Sequence, residues 1–154
     1  MPNASPAKPD VRALQCTGAT VRRFARRITS FYDLHMHQTG LKLSQYSVLA
    51  HLSDEAQSLR QLSDRLEMDR TTLTRNLAPL LANGWVAGVR GSDARQRLLV
   101  LTPAGKRRRA AARAAWKNAQ QDLEEQLGMD LVAGLHARLD KALSKLKAVL
   151  PDEN

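Results

Sequence analysis

The chain has 154 residues, 43% of them hydrophobic, one cysteine, and 24 Lys and Arg against 15 Asp and Glu for a formal charge of +9. That composition suits one compact domain or two small interlocked units and excludes a fibrous or wholly disordered protein. A lone Cys16 excludes an intrachain disulfide, no stretch reaches the length of a membrane span, and the opening MPNASPAKPD lacks the apolar run of a secretory signal, so a cytoplasmic location and no membrane partner are expected.

Residues 1–10, with prolines at Pro2, Pro6 and Pro9, read as a disordered tail. Residues 11–40 follow as an amphipathic helix from Val11 to about His37, with Leu14, Val21, Phe24, Ile28 and Phe31 on its apolar stripe and Arg22, Arg23, Arg26 and Arg27 on the remaining surface. After Gly40 the pattern restarts. Ser44 is the expected N-cap of a short helix that buries Tyr46, Val48, Leu49 and Leu52, and SLRQLSDRLEM makes a second short helix.

In DRTTLTRNLAPLLANG, Asp69 is the expected N-cap, while Leu73, Leu77, Leu80 and Leu81 line one face until Asn83 and Gly84 end the helix. Thr71, Thr72 and Arg75 fall on the opposite face. Pro79 removes a backbone donor, so a kink is expected in the second half. Beyond Gly84 the period becomes strand-like: WVAGV, the loop GVRGSDARQR, then QRLLVLT, read as a two-stranded hairpin with a long basic tip. Thr102 caps the next helix with Pro103 at its first position, and that helix runs to about Leu127. Gly128 interrupts it before a last helix with Leu131, Leu135, Leu139, Leu146 and Val149 on one side.

Two short helices, a third with polar residues facing outward, and a β-hairpin compose a winged helix-turn-helix. The fold expected is mainly α with a small β-hairpin wing. Its winged unit spans residues 41–102, flanked by dimerisation helices at 11–40 and 103–150. A helix of this size fits the major groove of B-DNA, where its N-terminal residues meet base edges. The candidate contacts there are Arg70, Thr71, Thr72, Thr74 and Arg75: arginine offers a bidentate pair to guanine, threonine a hydroxyl and a methyl. Between Gly88 and Arg113 the bases Arg90, Arg95, Arg97, Lys106, Arg107, Arg108, Arg109 and Arg113 face a single acid, Asp93. Such clustering favours a polyanion, here double-stranded DNA, although a charge run without a motif would be better read as a solvated surface.

A wing tip beside the reading helix lies over the neighbouring minor groove, whose negative potential attracts Arg90, Arg95 and Arg97. Asp93 would oppose phosphates. It either pairs with a wing arginine and shapes the tip or bonds its own backbone as an ordinary turn aspartate. A winged unit cannot cover the apolar stripes of the first and last helices, so a second copy, forming a homodimer, is the simplest partner, with antiparallel pairing of the two helices within one chain as the reading that can stand beside it. No paired carboxylates or nucleophile and base stand out, so no enzyme is expected; an architectural DNA-binding protein of weak specificity remains the alternative from another class.

Over about residues 11 to 148 the chain resembles the multiple-antibiotic-resistance regulators, the MarR family. The densest part is LSDRLEMDRTTLTRNLAPLLANGWVAGVRGSDARQRLLVLTPAG, in which Asp93 and Arg95 match the aspartate, any residue, arginine of the family's wing, and LTPAG matches the opening of its next helix. The chain departs from the family at Ala87 and Gly88, where acid or base is frequent. The resemblance implies a homodimeric transcriptional regulator, commonly a repressor, on a pseudo-palindromic operator, released by a small-molecule effector such as an aromatic acid, or responsive to an oxidant.

His35, Met36, His37 and His51 gather in sequence where the family places its ligand pocket, and Phe31 and Tyr32 supply aromatic surface there. No metal-ligand spacing is evident, so neither metal nor cofactor is expected, and hinge, surface and core roles are the plainer readings. Aligned at QYSVL, Tyr32 falls where peroxide-sensing members carry a tyrosine, but Cys16 lies two residues before their cysteine and Leu43 replaces their second tyrosine. An idle Cys16 is the preferred reading and an oxidation trigger the alternative.

Overall fold

A computed structural model describes residues 16–92 and 97–150. The expected tail at residues 1–10 and the start of the first helix at Val11 lie outside them. The helix described, α1, runs Thr17–Met36 and ends in a 3-10 turn, His37–Thr39, closed by Gly40. Its second half packs on the helix α5, Pro103–Leu127, burying Tyr32 with Ala119 and Leu123 and half-burying Ile28, Phe31 and Trp116. Its first half, from Cys16 to Arg27, is exposed on every side.

The reading head begins with α2, Leu43–His51. Ser44 is not its cap, contrary to expectation. Lys42 holds that place, and the free N–H groups are met from elsewhere: Asp33 Oδ1 of α1 accepts from the Leu43 N–H at 2.6 Å, and Gln45 Oε1 accepts from the Lys42 N–H at 3.0 Å. A two-residue strand β1, Gln57–Ser58, leads into α3, Leu59–Leu66, which opens with a reciprocal capping box between Ser58 and Gln61. Glu67 turns the chain at φ 49°, in the left-handed region, and α4, Arg70–Ala82, follows with Asp69 as its cap. The helix continues through Pro79. Leu73, Leu77 and Leu80 are buried as their spacing predicts, whereas Leu81 is 42% exposed.

The wing has three strands among the described residues, not the two expected. β2, Val86–Arg90, and β3, Arg97–Leu101, pair antiparallel from Val86 opposite Leu101 to Arg90 opposite Arg97, and β1 adds to the other edge of β3 with Gln57 opposite Leu99. The core lies under this sheet, where Leu49, Leu52, Leu62, Leu73, Leu80 and Val86 meet Leu101 and Ala112.

Thr102 joins wing to α5 as expected. Its Oγ1 accepts from the Gly105 N–H at 3.0 Å and donates to the Gly84 carbonyl at 2.7 Å. That junction admits no side chain at 105, because a Cβ there would stand 1.9 Å from the Trp85 carbonyl oxygen. After Gly128 the last helix, α6, Met129–Lys147, buries only Val132 among its residues. At its far end Lys147 pairs with Glu67.

Candidate nucleic-acid interface

The first turn of α4 is built around Asp69, whose Oδ1 accepts from the Thr72 N–H at 2.8 Å. Hydrogen bonds from Thr72 hold its carboxyl below the ordinary carboxylate range. With one free N–H satisfied and the leucines turned inward, the same turn exposes Arg70, Thr71, Thr74 and Arg75, with Thr72 half-buried beside them. Arg70 and Arg75 form no ion pair among the described residues. Two uncommitted guanidinium groups and two hydroxyls on an exposed helix start can meet phosphates and base edges.

At the outer end of the wing Arg90 stands directly opposite Arg97, both exposed. Like charges in directly opposed positions of an antiparallel pair destabilise it, so this placement does nothing for the wing on its own and becomes favourable when a polyanion lies across both. Asp93 and Arg95 lie outside the described residues.

The rest of the basic run behaves differently from its reading as one cluster. Lys106 pairs with Asp54 at 2.9 Å, drawing that carboxyl below its usual range, and Arg109 donates to the Leu52 carbonyl at 2.9 Å. Arg108 donates to the Thr39 carbonyl at 2.8 Å with its guanidinium 4.5 Å from the centre of the Trp85 ring. These three fasten α5 to the ends of α1 and α2 and to the wing root. Arg107 and Arg113 stay exposed. Sequence could not separate the two groups, because the carbonyls and the aspartate that engage them lie more than fifty residues away in the chain.

The residues considered for sensing part company. Met36 is fully buried in the core, and His37 is exposed. His51, also exposed, has its Nδ1 on the Ser47 carbonyl at 2.8 Å. No gathering of these side chains forms, and among the described residues no group of three His, Cys, Asp or Glu side chains is placed to hold a metal ion. His35 instead bridges helices: Nδ1 lies 2.9 Å from the Phe31 carbonyl and Nε2 2.8 Å from Asp122 Oδ2 of α5. Both partners accept, so the imidazolium, with a proton on each ring nitrogen, is the form that satisfies both contacts. These hydrogen bonds, Phe31 first and then Asp122, raise the His35 pKa.

Beside it the Tyr32 hydroxyl donates to Gln120 Oε1, and Gln120 in turn donates to Glu124 at 2.7 Å. Burial and the charge of Glu124 push the Tyr32 pKa up. Cys16, exposed at the start of α1, is sixteen residues from Tyr32 along one helix, about 24 Å at 1.5 Å per residue. Within one chain the two are not brought together.

The family model described as MarR family matches residues 39–97, from the end of α1 through the wing. The transcriptional regulator MosR of M. tuberculosis, solved in complex with DNA, is 31% identical over 86% of this chain and 99% of its own, with a TM-score of 0.72. The chain belongs to the MarR family. It is a DNA-binding transcriptional regulator, as members of the family are, and not an enzyme.

Two further MarR-fold structures match at lower identity and speak to the fold alone. The repressor CouR of Rhodococcus jostii, bound to a 23-mer DNA duplex, is 24% identical over 90% of this chain and 99% of its own, with a TM-score of 0.75. A cysteine-to-serine mutant of E. coli MarR with operator DNA is 22% identical over 88% and 99%, with a TM-score of 0.76. No match emerges among curated protein sequences. Among the described residues of this MarR-family regulator no helix is long and apolar enough to cross a membrane.

Proposed function

We propose that the chain acts as a homodimeric repressor on a pseudo-palindromic operator, with Arg70, Thr71, Thr72, Thr74 and Arg75 in the major groove and Arg90, Asp93, Arg95 and Arg97 at the flanking minor groove, and that a small aromatic acid or similar effector releases it. The observation that carries the DNA contacts is the pairing of two uncommitted basic groups on the exposed start of α4 with two mutually opposed arginines at the wing end. The dimer is supported by apolar side chains that a single chain leaves bare: Val21 and Phe24 on α1, Leu131, Leu139, Leu143 and Leu146 on α6, each between 37% and 53% exposed. Exposed apolar side chains gathered on these two helices are what a partner surface would cover. A two-fold dimer presents two α4 helices to successive major grooves. The release step rests on Phe31, Tyr32 and His35, which gather aromatic and hydrogen-bonding groups where α1 meets α5.

Selection of bound duplexes from random DNA tests this reading, repeated with benzoate-type acids added. The reading expects one inverted repeat, two chains per duplex, and weaker retention with at least one acid. Recovery of unrelated sequences at equal affinity would instead mark an architectural protein.

A further inference from the structure

A dimeric reader needs more than a reading helix: the helix must sit at a fixed height and angle on the dimer frame, since two half-sites one helical turn apart tolerate little error. In this chain α4 rests on α2, and α2 on α1. Apolar packing by Tyr46, Val48 and Leu49 holds α2 in place, but such contacts are non-directional. The first turn of α2 adds directional ones on two sides. Toward α1, Asp33 Oδ1 accepts from the Leu43 N–H at 2.6 Å. Toward α4, the hydroxyl of the next residue, Ser44, donates to Asn76 Oδ1 at 2.7 Å. Asn76 Nδ2 then donates to the Thr72 carbonyl at 2.9 Å, one turn back toward the exposed start of the helix. That second bond fixes the amide's orientation, because a flipped amide would set its oxygen against a carbonyl. All three bonds are partly buried, where water competes poorly.

We infer that Asp33, Ser44 and Asn76 are positioning residues which set the register of the recognition helix on the dimer frame, and through it the half-site spacing that the regulator accepts. None of the three needs to touch DNA. Ser44 is not the cap of its own helix, so its hydroxyl is left for this bridge, while Asp33 takes the free Leu43 N–H at the helix start. The inference rests on the proposed dimeric reading of paired half-sites and adds which residues set their distance.

The test is binding of the full-length protein to its selected operator and to duplexes with one base pair inserted or removed between half-sites, each change turning one half-site by about a tenth of a turn. Wild type should lose at least tenfold in affinity on either change. Ser44→Ala, Asn76→Ala and Asp33→Ala should each lose about threefold to tenfold on the selected spacing, the scale of one directional hydrogen bond. Their penalty for altered spacing should shrink to less than about threefold, since a loosened helix can follow a displaced groove. Ser44→Thr keeps the hydroxyl and Asp33→Asn keeps the acceptor, so both should restore wild-type spacing strictness. Melting temperatures close to wild type identify the folded variants on which the comparison is made, and Ser44→Ala, the smallest change, is the reference among them.

Equal losses at every spacing, or strictness unchanged in Ser44→Ala, would overturn the inference while leaving dimeric reading intact. A wild-type protein that selects no paired half-sites would overturn that reading, and this one with it.

Discussion

His35 shows how much one side chain can decide once both of its ring nitrogens face acceptors. Its raised pKa means that the imidazolium is bound more tightly in the folded chain than in the unfolded one. The stability it contributes is therefore fully present below the ordinary histidine value and is lost as pH rises through the raised folded value. Thermal unfolding of wild type and His35→Gln from about pH 5.5 to 8.5 should show a gap that is widest at the acid end and closes with rising pH; a gap independent of pH would contradict the imidazolium. Gly105 makes the opposite kind of demand, for nothing at all. Gly105→Ala drives a methyl group into the Trp85 carbonyl, and a small addition to a packed site costs about 1 to 3 kcal/mol. The upper end is expected because a backbone atom cannot rotate away, and urea unfolding measures it.

At the scale of elements, α4 and the wing should fail in different ways. Arg75→Ala should cost about 1 to 3 kcal/mol of operator affinity and relax preference at one position of each half-site. Arg90→Ala should weaken binding across sequences and lower the salt slope by about 1, since it removes both a phosphate partner and the repulsion with Arg97 that a bound polyanion relieves. Competition binding on single-base operator variants at several salt concentrations separates the two; identical, sequence-independent losses would show that Arg75 meets phosphate.

These elements are also the most legible in the sequence. Asp69, the leucines from Leu73 to Leu80, Thr102 with Pro103, and Gly128 each act on neighbours within a turn or two, so spacing reveals them. The misses share the converse property. β1 is two residues long, too short for any alternation, and exists because β3 offers an edge. Ser44 resembles a cap in the sequence because only the folded chain brings Asp33 to that N-terminus. The bases of α5 resemble one DNA-facing cluster because a lysine carries no mark of the aspartate it will meet.

At the scale of the molecule, one chain is a finished winged unit attached to unfinished helices. The unit's core is closed, whereas α6 buries Val132 alone among its residues and the first half of α1 buries nothing. The two apolar stripes of the sequence carry that contrast, but they do not say which chain covers them, since one stripe can pair within a chain or between two. Ending the chain after Gly128 should convert a dimer to monomer or aggregate in sedimentation analysis and lower operator affinity sharply; a soluble dimer with unchanged affinity would exclude α6 from the interface. Two α4 helices in successive major grooves, with their wings in the flanking minor grooves, should leave a distinctive imprint on the selected operator. Chemical footprinting reads it, using guanine N7 methylation for the major groove and hydroxyl radicals for the minor. Two symmetric patches of N7 protection should stand about one helical turn apart, flanked on the outside by minor-groove protection that Arg90→Ala and Arg97→Ala weaken. Continuous protection without symmetry, or a single patch, would contradict this mode of binding.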